Sequence, residues 1–131
     1  MKRSRINPVS KKRQSLMPMR RSLVKRLLEE RMVCEARISG CTFMPTDVHE
    51  ILTRGRGGSI TDEDNCLVLC RNCHHWITFV SPAWAIENGF TLHAGATEAD
   101  RRAASRARAA FVQGLQAEFF EQDDWYEIDD D

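Results

Sequence analysis

The sequence predicts a small α+β domain, and three observations carry that prediction. Two stretches with apolar residues at helical spacing, one near each end, bracket the middle of the chain. Between them lie two short strand candidates separated by a glycine-rich loop, the second running straight into a turn and helix. Four of the five cysteines flank these central elements in two pairs.

Taken in order, Met1–Met17 is polar, basic and non-periodic, contains Pro8, and reads as a flexible arm over residues 1–17. From Pro18, "PMRRSLVKRLLEERM" places Leu23, Val24, Leu27 and Leu28 on one face and mostly Arg and Lys on the other. Proline suits a first helical turn, so the helix is expected to start there. Gly40 in "CEARISGC" suits a tight turn, and Asp47–Leu52 is a strand candidate. The segment "TRGRGGSITDED" is turn-rich, with Ile60 as its apolar anchor, and Cys66–Leu69 is a short apolar strand. "CRNCHHWITFV" then opens as a turn and continues as a helix to about Val80, with Trp76 expected in the core. Ser81–Gly95 is expected to be irregular, anchored by Trp84, Ile86 and Phe90. Thr97, with Asp100 three residues on, has the form of a capping box opening a helix over 96–120. Its apolar side reads Ala103, Ala107, Phe111, Leu115 and Phe119. An acidic tail follows over 121–131.

Charge is segregated although it sums to zero. The first 31 residues hold eleven Lys or Arg against Glu29 and Glu30, while the chain from Glu118 onward holds eight acids and no base. A basic arm of this kind points to nucleic acid, and the acidic end to a partner or to self-screening. No apolar run approaches the roughly 18 residues of a membrane span, so no membrane partner is expected. The basic N-terminus lacks the apolar stretch of a secretory signal, which makes a cytoplasmic location the expectation.

In a reducing compartment, an odd number of cysteines suggests metal ligation rather than a disulfide framework. Cys70 and Cys73 form a CxxC unit, whose tight turn lets backbone amides point at the sulfurs. Cys34 and Cys41 form a second, more widely spaced pair. Four thiolates close a tetrahedral zinc site, which is expected to be structural. Cys66 sits in the apolar strand and reads as a small buried hydrophobe.

With these residues in place, "VHEILTRGRGGSITDEDNCLVLCRNCHHWI" resembles the HNH endonucleases, also called His-Me finger or ββα-metal nucleases. The likeness is to small phage and bacterial members with four zinc-binding cysteines, and it covers about Val33–Val80. The resemblance implies a ββα-metal core within an HNH domain over 18–95. That core would hold one divalent cation (Mg2+, Mn2+, Ni2+ or Zn2+) between hairpin and helix, apart from the structural Zn2+. It also implies DNA as substrate, phage origin, a host-cell cytoplasmic setting and work beside the DNA-packaging terminase. His49 falls at the first metal-ligand position and His74 at the second, while Asn65 matches the middle letter of the motif. Arg54 and Arg56, set among glycines that permit close backbone approach, are candidates for phosphate contact.

Glu50 departs from the pattern. The resemblance puts a histidine there, the general base that activates water. Three readings of the glutamate stand: it acts as the base, it binds the metal, or it marks a zinc module that binds without cutting. Its reference pKa of about 4.3 makes it a weaker base than histidine near neutral pH. Adjacent strand residues also point to opposite faces, so His49 and Glu50 share a site only at a twist, a bulge or an edge. Asp47, two places before His49, shares its face on a regular strand and reads either as a group that orients an imidazole or binds metal or as a plain strand-edge aspartate. Asn65 after "TDED" also has a structural reading compatible with the motif, closing the loop through side-chain hydrogen bonds. His75 and His93 match nothing and are expected at the surface.

Overall fold

The computed structural model describes residues 10–127, with side chains as far as Leu115. It has the α+β order expected: helix α1 (Lys11–Glu30), strands β1 (Asp47–Glu50) and β2 (Cys66–Leu69), helix α2 (Arg71–His75), helix α3 (Pro82–Glu87) and helix α4 (Glu98–Glu127). Two short 3-10 turns, Arg54–Arg56 and Glu63–Asn65, lie in the hairpin loop. A π turn, Trp76–Val80, continues α2.

β1 and β2 pair antiparallel, with Asp47 opposite Leu69 and Glu50 opposite Cys66. Side-chain alternation then gives the ribbon two faces. On one, Leu23 and Leu27 of α1 pack with Cys66 and Val68, and Leu28 and Val48 close the edges. On the other, Leu67 and Leu69 join Ile77, Ala85, Phe90, Leu92 and Ala104. Each fully buried aliphatic side chain here contributes about 1.5–3 kcal/mol. Phe111 of α4 meets Trp84 and Phe90 edge-on at 5.2 and 5.9 Å, which docks the long helix against α3.

The helix starts differ instructively. The Thr97 capping box is present, with the Thr97 amide donating to Asp100 Oδ2 (2.8 Å) and the Asp100 amide to Thr97 Oγ1 (3.2 Å). α4 runs past the expected residue 120 to Glu127, into the segment expected as tail; Phe119 lies outside the described side chains. Ala104 is the alanine that is buried, at 7 %, rather than Ala103. α1 begins at Lys11, not Pro18, because the Ser10 hydroxyl accepts from the Arg13 amide and caps the end. Pro18 therefore sits inside the helix, at a typical cost of about 3 kcal/mol. The arm expected over 1–17 is helical from residue 11, and residues 1–9 lie outside the described part.

Short elements diverge most. β1 ends at Glu50, where Leu52 was expected, and Ser81–Gly95, expected to be irregular, contains α3. Trp76, expected in the core, is 36 % exposed on the π turn. Among the described residues, no helix is long and apolar enough to cross a membrane.

Candidate metal centre and histidine cavity

Cys34, Cys41, Cys70 and Cys73 converge, with their sulfurs all within 4.8 Å of one another. Zn–S bonds of about 2.3 Å in a tetrahedron put sulfurs roughly 3.8 Å apart. The Cys70 and Cys41 sulfurs are 3.8 Å apart. The amides of Cys73 and Phe43 point at the sulfurs of Cys70 (3.4 Å) and Cys41 (3.3 Å), the turn geometry that a CxxC unit provides. The electrostatics also suit a cation. The Cys73 thiol donates to the Cys34 sulfur, lowering the Cys34 pKa to about 4 and pushing that of Cys73 up. Burial pushes Cys41 up to about 11. Without a positive ion the cluster cannot carry four negative charges. The donor set thus fits a structural Zn2+. Cys66 stands apart, buried against α1, as expected.

A second group gathers on the α2 side of the ribbon. His49, 7 % exposed, directs Nε2 at the Phe90 carbonyl oxygen, 2.7 Å away. A carbonyl only accepts, so Nε2 carries the proton and Nδ1 keeps a lone pair. Burial lowers the His49 pKa to about 4, with the charges of His74 and Arg108 adding and the Phe90 bond opposing. The ring is therefore neutral at pH 7. His74, at the end of α2, holds Asp47 Oδ2 through Nδ1 at 2.9 Å, leaving Nε2. The two rings lie 5.4 Å apart, edge to face. Burial works against the Asp47 carboxylate, but hydrogen bonds from His74, Arg71 and Thr46 outweigh it and hold its pKa below the usual value. Asp47 orients the His74 ring, the part a carboxylate plays behind a metal-binding imidazole.

His49, Glu50, Arg56 and His74 border one cavity of about 380 Å3. Glu50 reaches it from the end of β1. On a regular strand its side chain leaves the His49 face, and Glu50 Oε1 lies 3.6 Å from Arg20 Nη2 of α1. Arg20 also bonds the carbonyls of Ile60 (2.9 Å) and Val48 (3.4 Å) and the Cys66 sulfur (3.3 Å). It ties α1 to both strands and to Glu50. Sequence reasoning passed over it, although it lies three and seven residues before Leu23 and Leu27, on the buried face of the helix.

The remaining expected site residues divide. Arg56 borders the cavity and donates to the Leu92 carbonyl at 3.1 Å. Arg54 does not border it, and its Nη1 is buried without a hydrogen-bond partner among the described residues. Asn65, which the resemblance places at the middle letter of the motif, commits its amide to the hairpin loop. It accepts from the Leu52 amide and donates to the Leu52 and Ser59 carbonyls, each at 2.9 Å. It closes the hairpin loop, the structural reading compatible with the motif. Gly58 shares that closure, since a Cβ there would lie 1.7 Å from the Leu52 oxygen. A larger cleft of about 580 Å3 mixes arginines such as Arg101 with acids such as Glu63 and contains none of the histidines.

A scan of known protein families finds no matching family model, and searches among curated proteins and solved structures likewise find no match.

Proposed function

We propose that the chain is a metal-dependent endonuclease or nickase of the HNH type, acting on DNA phosphodiester bonds. The observation that carries this reading is the His49–His74 pair. Two imidazoles, 5.4 Å apart, each commit one nitrogen to an acceptor and border the same cavity. A buried imidazole of fixed tautomer beside one oriented by a carboxylate suits a divalent cation with positions open to water and phosphate. When bound, that cation would supply Lewis acidity to the phosphate and the leaving oxygen.

The chain's own groups divide the remaining work. Asp47 holds His74 in orientation. Glu50, held by Arg20 at the cavity's edge, takes a proton from the attacking water. Arg56 offsets phosphate charge. Lys11, Lys12, Arg13, Arg21 and Lys25, exposed on α1, supply salt-sensitive affinity for the DNA backbone. The association with a phage packaging terminase rests on the sequence resemblance alone.

The Arg20–Glu50 ion pair is the observation that favours the competing reading, a zinc-stapled module that binds nucleic acid without cutting it. Supercoiled plasmid incubated with the protein and Mg2+, Mn2+ or Ni2+ separates the two. The expected result is nicking that His49→Ala abolishes while zinc content and circular dichroism stay unchanged. Nicking no faster than the His49→Ala background with every cation would leave the binding module standing.

A further inference from the structure

The cavity beside the histidines is larger than a cation and a phosphate require. Its volume of about 380 Å3 lies near the lower end of the roughly 300–1,000 Å3 of small-molecule sites, and it opens to solvent. Its lining divides by chemistry. His49, Glu50, Arg56 and His74 are polar or charged, whereas exposed Pro82 and Ile86, backed by buried Ile77, form an apolar side edged by Thr78 and Thr91. The apolar character continues outward. Ile86, although part of the lining, is 42 % exposed.

A nucleotide divides the same way, into an anionic phosphate and a base with flat, weakly polar faces. In an intact duplex those faces are covered by neighbouring bases, and the strand offers a protein surface only polar backbone and base edges. An apolar wall continuous with a phosphate site gains nothing from such a backbone. It gains from a base that has left the stack, as in enzymes that draw out a single nucleotide.

We infer that the cavity takes one unstacked nucleotide, its phosphate beside the two imidazoles and Arg56 and its base against Pro82 and Ile86. The preferred substrate is then single-stranded or locally unpaired DNA. The inference rests on the phosphate-binding part of the function proposed above, and not on cleavage.

Fluorescence anisotropy tests it with a labelled 20-nucleotide single strand, the matching duplex, and a duplex carrying a one-nucleotide bulge. The full-length, zinc-loaded protein is used at fixed salt without added Mg2+ or Mn2+. The single strand and the bulged duplex are expected to bind about tenfold more tightly than the intact duplex, a step of about 1.4 kcal/mol in affinity. Pro82→Ser with Ile86→Ser should remove that preference and leave duplex binding, which α1 provides, unchanged. Ile86→Leu should retain the preference and guards against a folding artefact. Duplex binding as tight as the single strand, or equal loss on every substrate in the double variant, would overturn the inference. A single-strand preference in a protein that nicks no plasmid would leave it intact and remove only the nuclease reading.

Discussion

Cys70→Ser is expected to abolish cooperative unfolding of the domain, whereas His74→Ala should leave it folded. The reason is one of scale. Structural zinc in small modules is worth on the order of 10–16 kcal/mol, about the whole stability of an ordinary domain. Cys70 lies fully buried between the ribbon and α2, with the Cys73 amide and the Cys41 sulfur directed at it. Serine there weakens the metal site and leaves its polar neighbours in an apolar cluster. The His74 side chain is 33 % exposed, and its partner Asp47 keeps Arg71 and Thr46 when the ring is removed. That loss should cost about 1–3 kcal/mol. Thermal unfolding followed by circular dichroism, with zinc content measured on the same samples, checks both variants. An equal loss of stability in the two would merge His74 with the structural site.

Glu50→Gln is expected to lower the nicking rate by about 10²–10⁴-fold, the usual contribution of a positioned general base. Glutamine keeps the size and much of the hydrogen bonding of the side chain while removing its basicity, so binding of the DNA should hold. Glu50→His, which introduces the base found in the resembling family, should recover most of the activity. Single-turnover nicking at saturating protein separates the chemical step from affinity. A Glu50→Gln protein that nicks at the wild-type rate would remove Glu50 from the chemistry. The Arg20 contact, with the Arg20 side chain only 13 % exposed, would then be its whole role, that of an ion pair fastening α1.

What the sequence made legible follows the range of the interactions involved. The Thr97–Asp100 box was readable because both partners lie within one turn of helix and bond each other's amides. The strand Cys66–Leu69 was readable because all four of its residues are buried, leaving an uninterrupted apolar run. The four-cysteine cluster followed from its paired spacing. The start of α1 was misplaced because Pro18 is a strong N-terminal signal, whereas the Ser10 cap lies in a run of polar residues with no apolar rhythm to mark it. α3 escaped because its six residues are too few to show a period.

Within the site, His49, Glu50 and His74 came from a motif. Their geometry depends on long-range contacts that no local pattern encodes. The Phe90 carbonyl that fixes the His49 tautomer is a backbone atom 41 residues away. The Arg20–Glu50 pair bridges two elements through tertiary packing. Asn65 shows the converse. Its letter in the motif was visible, but only the bonds to Leu52 and Ser59 show that its amide is spent on the loop.

The proposed function requires two separate metal sites, four thiolates for the fold and a histidine pair for function. Isothermal titration of the zinc-loaded protein with Mn2+, accompanied by metal analysis, tests it most directly. One Mn2+ should bind in addition to one zinc, and either His49→Ala or His74→Ala should abolish the Mn2+ site while leaving the zinc. Zinc-loaded protein that takes up no second cation, or takes one up equally well in both variants, would contradict the account.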